Sequence, residues 1–135
     1  LRVYGDGQQT RCFADVSDAV DAMIRLLDEP SATGQVFNVG ADIPITIEHL
    51  ARHIIELTES SSQIEYVPYD QAYAPGFEDM RVRQPCLEKI NAAIGYAPST
   101  TLDDTLVRMI EWTRQRQSVP SDHSEVRNRI RLLRS

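Results

Sequence analysis

Arg11 is the residue best placed for chemistry in this chain. It follows a Gly5-Asp6-Gly7 turn and opens an alternating stretch, Arg11 to Val16, that runs into a helix start. A planar, permanently charged guanidinium can grip two oxygens of one anion. The plainer reading is an exposed arginine beside a turn, paired with Asp6 or Asp15. Arg83 lies in a stretch without clear periodicity and, taken alone, reads as a loop arginine facing solvent. Arg81 stands two residues before it.

The other reactive side chains form no catalytic or metal-binding constellation. Asp15 and Asp18 suggest paired carboxylates, but Asp18 follows a helix cap, where an acidic group stabilises the helix dipole. His49 and His53 have a spacing that can bind zinc. Glu48, however, precedes His49 instead of lying inside an H-E-x-x-H, so the pair reads as solvent-side, and His123 stands far off. Cys12 and Cys86 are too few for a disulfide scaffold and lack zinc spacing. They read as reduced thiols of a cytoplasmic protein, Cys12 as a small buried filler. Tyr4 and Phe13 read as core or turn-packing residues.

The elements that must position these residues follow from periodicity. Leu1 to Tyr4 reads as a strand end, and Arg11 to Val16 as a short strand. Ser17 reads as the N-cap of a helix, with Asp18 and Asp21 in its first turn. Ala19, Val20, Met23, Ile24 and Leu27 form its apolar stripe, and Pro30 stops it. Gln35 to Val39 reads as a short apolar strand. Thr46 caps a second helix, which buries Ile47, Leu50, Ala51, Ile54, Ile55 and Thr58. Gln63 to Val67 alternates and reads as a strand, whereas Tyr69 to Pro85 has no period and reads as an irregular loop. Leu87 to Ile94 is a short helix ended by Gly95. Leu102, Leu106, Met109, Ile110 and Thr113 mark a last helix to about Gln117. The fold class is α/β, with short strands and four main helices. Residues 1–117 read as the folded portion. Residues 118–135 read as a polar, flexible tail with Arg127, Arg129, Arg131 and Arg134.

Bulk properties set outer bounds. The chain has 135 residues, enough for one small domain, and 41% hydrophobic residues sustain a modest core. A net charge of −6 argues against a general nucleic-acid or acidic-membrane partner, because phosphate backbones want a basic face. No apolar run approaches the roughly 20 residues of a membrane span.

The ordered motifs resemble a known family. The run Val3-Tyr-Gly-Asp-Gly-Gln-Gln-Thr-Arg-Cys-Phe-Ala-Asp-Val-Ser-Asp18 resembles the segment of extended short-chain dehydrogenase/reductases that follows their catalytic half. Val36-Phe-Asn-Val-Gly40 is similar to the N-x-G strand of that family, and Ile45-Thr-Ile-Glu-His-Leu-Ala51 to its hT-hxELA helix start. Asp79-Met-Arg-Val-Arg-Gln-Pro85 is similar to its D-x-x-x-R-x-P segment. Ile94-Gly-Tyr-Ala-Pro98 resembles its LGW-x-P, and Thr101-Leu-Asp-Asp-Thr-Leu106 its closing helix. The similarity covers roughly Leu1 to Arg116. It is closest in flavour to UDP-glucuronate decarboxylases, UDP-sugar 4-epimerases and nucleotide-diphosphate-sugar dehydratases.

The resemblance implies a Rossmann-type parent that is NAD-dependent and acts on a nucleotide sugar. It implies that Arg11 grips the substrate diphosphate and that Arg83 supplies a second cation, with Arg81 as its alternative. Gln9 and Tyr4 become lesser substrate-binding candidates, Tyr4 near the nucleotide base. The family places Asp after Pro85 as a helix cap. Cys86 stands there instead, which weakens that cap.

The family's G-x-x-G-x-x-G fingerprint is missing from the sequence. Gly5-Asp-Gly7 lacks the third glycine and no helix follows it directly. The catalytic Tyr-x-x-x-Lys is missing too: Lys89 is the only lysine, and Pro85 stands where its tyrosine belongs. The expectation is a C-terminal substrate-binding portion without catalytic residues, cofactor or metal. Its expected partners are an N-terminal dinucleotide-binding half and, for the parent, a second copy in a homodimer. The competing expectations are a non-enzymatic α/β binding module, or an extended reductase acting on a carbonyl substrate that carries no nucleotide.

Overall fold

The computed structural model describes residues 1–74, 76 and 79–117. The expected tail, 118–135, lies outside the described residues, as does His123. β1 (Arg2–Tyr4) pairs in parallel with a strand far along the chain, Glu65–Val67, in the register Arg2↔Glu65 and Tyr4↔Val67. A second sheet is centred on β2 (Thr10–Cys12), flanked antiparallel by β3 (Pro44–Thr46). On its other side β2 runs parallel to a two-residue strand, Val82–Arg83. In chain order Glu65–Val67 is β4 and Val82–Arg83 is β5.

The helices are α1 (Val16–Leu27), α2 (Ile47–Leu57), α3 (Tyr69–Ala72), α4 (Glu88–Ile94) and α5 (Leu102–Gln117). α2 starts at Thr46 as expected: its hydroxyl accepts from His49 N at 3.1 Å. α4 ends at Gly95, whose φ of +63° satisfies the left-handed C-cap that a Cβ would resist. No side chain caps the start of α4, in keeping with Cys86 in the place of an aspartate.

Four expectations need correction. The strand expected over Arg11 to Val16 is only Thr10–Cys12, and Val16 already opens α1, because the Asp15 cap turns the chain into the helix. The cap of α1 is Asp15, not Ser17. The Asp15 carboxylate accepts from both the Ser17 backbone N–H and its hydroxyl, which places Ser17 inside the helix. Gln35 to Val39 forms no strand. Its backbone N–H groups from Val36 to Val39 find no backbone partner among the described residues, since no neighbouring strand lies beside it. Tyr69 to Pro85 is not wholly irregular, because it contains α3 and β5; both are too short to show a period.

The main core is small. Ala22 of α1, Ile90 of α4 and Tyr96 are buried together, with Leu26, Phe37, Val39, Leu87 and Ile94 packed around them. The Tyr96 hydroxyl donates to Gly40 O at 2.8 Å, pinning the extended segment to this cluster. Much of the stripe expected on α1 faces away from it: Met23 is 52% exposed, Ile24 55% and Leu27 85%. α1 is therefore apolar on two sides, a pattern of helices buried between layers. Among the described residues its second apolar side is exposed. No helix among the described residues is long and apolar enough to cross a membrane.

Candidate functional site

The β2–β5 ladder sets the geometry. Arg11 and Arg83 are register partners in this parallel pair, so their side chains leave the same face of the sheet about 4.8 Å apart at the backbone. Both line one cavity of about 630 Å³, together with Phe13, Asn38, Gln84 and Cys86. Two cations on neighbouring rungs repel each other and favour an anion between them.

The two arginines differ in their partners. Arg83 is exposed and makes no hydrogen bond or ion pair among the described residues, which leaves its full fork available. Arg11 is half-buried and anchored. Its Nη1 donates to Thr10 O at 2.7 Å and to Met80 O at 2.9 Å, and its Nη2 donates to Asp79 Oδ1 at 2.5 Å. The pairing expected with Asp6 or Asp15 does not form. Asp6 accepts from Arg81 Nη1 at 2.7 and 2.8 Å, and Asp15 pairs with Arg108 at 3.0 Å. Arg81 is thus occupied on the turn. Two hydrogen bonds, from Gln8 N–H and then from Arg81, hold the Asp6 carboxyl below its usual range.

Tyr4 and Gln9 sit apart from this cavity. Tyr4 packs edge-on against Tyr73 at 5.6 Å between ring centres. Gln9 is buried, and its Nε2 donates to Tyr4 O at 3.0 Å, while its Oε1 has no partner among the described residues. Its place is behind the Gly5–Gly7 turn, joining the two sides of that turn. Cys12 and Cys86, both unpaired, line the cavity. Burial, with Asp42 nearby, pushes the Cys12 thiol up from its ordinary value. His53 is half-buried rather than solvent-side, with Nε2 2.7 Å from Asp103 Oδ1. No group of three metal-binding side chains occurs among the described residues. Sequence reasoning did not single out Asp79 or Tyr69, although Asp79 opens the very segment that contains Arg83.

The Gly5-Asp6-Gly7 turn does not suit a dinucleotide phosphate. It joins two strands rather than a strand and a helix. A Cβ on Gly5 would lie 2.5 Å from the Tyr69 ring, and one on Gly7 would lie 3.0 Å from Glu48 Cβ and Val3 Cγ1. The room those glycines create is already filled by the protein's own side chains.

Comparison with known proteins agrees with this architecture. The family model described as GDP-mannose 4,6 dehydratase matches residues 1–109. The chain belongs to that family. Members of this extended short-chain dehydrogenase/reductase group resemble it over most of its length. UDP-N-acetyl-alpha-D-glucosaminuronate decarboxylase of Bacillus cytotoxicus is 40% identical over 115 residues, which cover 85% of this chain and 36% of that protein. UDP-glucuronic acid decarboxylase 4 of Arabidopsis thaliana is 34% identical over 116 residues, covering 86% of this chain and 24% of the relative. Among solved structures, MoeE5 in complex with UDP-glucuronic acid and NAD superposes with a TM-score of 0.71 at 28% identity, covering 85% of this chain and 36% of that one. The UDP-glucose 4-epimerase of Thermotoga maritima shares the fold, with a TM-score of 0.75 at 24% identity, over 87% of this chain and 35% of its own. The chain therefore spans about a quarter to a third of the length of these relatives. NAD is the cofactor in the MoeE5 complex.

Proposed function

We propose that residues 1–117 are the substrate-binding portion of an NAD-dependent nucleotide-sugar decarboxylase, epimerase or dehydratase, and that Arg11 and Arg83 hold the substrate's diphosphate. The observation that carries this reading is their ladder pairing on one cavity. Two guanidiniums balance most of a diphosphate's charge, whereas a neutral carbonyl substrate needs neither. Anchoring the diphosphate leaves the sugar to be oriented toward groups outside this chain, which is how remote binding raises effective molarity at a reacting carbon. Tyr4 and Gln9 stand outside this cavity and take no part in holding the diphosphate.

The partner in this reading is the dinucleotide-binding half. The outward apolar side of α1 and the extended residues 36–39, whose N–H groups have no backbone partner among the described residues, are surfaces of the kind that half would cover. The two unpaired cysteines accord with a cytoplasmic location.

Calorimetric titration with UDP tests the binding role. Binding to the 135-residue chain should weaken in both Arg11→Ala and Arg83→Ala; unchanged affinity in both variants overturns the assignment. A separate assay with NAD and UDP-sugars should show no turnover, and turnover would sink the claim that the catalytic half lies elsewhere.

A further inference from the structure

We infer that Asp79 is a positioning residue for the anion site, acting through Arg11 from the side away from the cavity. The inference rests on the reading of Arg11 as a diphosphate ligand. Arg11 lines the cavity and Asp79 does not, although the two are in direct contact. The carboxylate therefore grips the guanidinium from behind. Its second oxygen, Oδ2, accepts from the Tyr69 hydroxyl at 3.2 Å, so the carboxylate is itself oriented. Burial first, and then Asp79, push the Tyr69 hydroxyl above its ordinary range, keeping it protonated as a donor.

The donor inventory shows what this arrangement accomplishes. Arg carries five N–H groups in a rigid plane. Both Nη1 hydrogens go to the Thr10 and Met80 carbonyls, and one Nη2 hydrogen goes to Asp79. What remains among the described residues is the Nε–H and one Nη2–H, two donors for the oxygens of a phosphate. Thr10 belongs to β2, and Met80 and Asp79 to the segment leading into β5. The guanidinium is thus fixed by both strands of the ladder that carries the two cations. The negative charge of Asp79 also offsets the repulsion between Arg11 and Arg83 while the cavity holds no anion.

Positioning and competition predict opposite signs. A carboxylate inside the cavity would compete with an incoming anion, and its removal would tighten binding. One behind the guanidinium spares a long side chain its ordering cost, and its removal would weaken binding, by up to about tenfold.

The test is a double-mutant cycle read by UDP titration, with thermal midpoints as the folding control. Asp79→Ala should bind UDP about tenfold more weakly than wild type and should cost nothing further in the Arg11→Ala background. Asp79→Asn, which keeps an acceptor oxygen, should lose less than Asp79→Ala. Equal losses in both backgrounds, or tighter binding by Asp79→Ala, overturns the positioning role and leaves the diphosphate reading standing. Should Arg11→Ala itself bind UDP like wild type, the diphosphate reading falls and the positioning role falls with it.

Discussion

Arg11 and Arg83 face each other across the β2–β5 ladder, one held by three hydrogen bonds and the other by none among the described residues. Anion affinity should therefore be more sensitive to chemistry at Arg83 than its exposure suggests. Arg83→Lys keeps the charge and loses the planar fork. It should bind UDP better than Arg83→Ala but more weakly than wild type. All three affinities should fall with added salt, because part of the attraction is between exposed charges. Titrations at two ionic strengths check both statements.

Acid should loosen the joint between α1 and α5. Asp15 accepts from Ser17 and Thr105 and pairs with Arg108, and the Ser17 hydrogen bonds foremost hold its carboxyl below the ordinary aspartate value of 3.8. Asp18 is also lowered: burial opposes the shift, but hydrogen bonds from Thr100 and Ser99 outweigh it. The folded state thus binds fewer protons than the unfolded state near that pH. Stability from these groups is fully present above the unfolded value and is lost as pH falls through the lower, folded values. Urea unfolding followed from pH 6 downward should show this decline, and Asp15→Asn should show a lower plateau and a shallower decline.

Gly5→Ala should be destabilising beyond an ordinary surface change. The residue has φ +71°, and an added Cβ would fall 2.5 Å from the Tyr69 ring. The backbone conformation alone costs a side chain roughly 1–2 kcal/mol, before Tyr69 is displaced from Asp79. A lower thermal midpoint together with weaker UDP binding is the expected pair of results, read by calorimetry on one preparation.

Apolar residues of α1 should divide sharply by face. Leu27→Glu alters a side chain that is 85% exposed and should leave the thermal midpoint of this chain within the small range of surface substitutions. Ile90→Ala, in the core cluster, should cost about 2–5 kcal/mol. Under the proposed function, Leu27→Glu should instead impair association with a separately expressed N-terminal half of a relative, measured by co-purification.

Helices were legible in the sequence because their signals are local. Thr46, Gly95 and the period of Ile47, Leu50, Ala51 and Ile54 each act within a turn or two. The burial side of α1 was not legible, because Ala22 and Val20 sit on different faces of a helix that is apolar on both, and only tertiary packing chooses between them. The same holds for Gln35 to Val39, whose composition suits a strand while strand pairing requires a neighbour. At the site, the motif spacing singled out Arg11 and Arg83, but the ladder that joins them connects residues far apart in the chain. Asp79 stands at the head of the D-x-x-x-R-x-P segment, but its role was not legible, because its bond to Arg11 joins residues 68 positions apart in the chain. Cap choice failed at Asp15 for a smaller reason: Ser17 is also a good capping residue, and side-chain hydrogen bonding decided between them.

The open backbone of residues 36–39 also bears on how this chain keeps company. The N–H groups of residues 36–39, without a backbone partner among the described residues and beside a Val36 that is 84% exposed, are open to pairing with an extended segment of matching spacing. Occupancy of that edge is then a matter of concentration and competition. A covalently attached neighbour fills it at high effective molarity, whereas in dilute solution other copies of the chain compete for it. The pairing of these amides is in this sense a property of the company the chain keeps, not of its own small core.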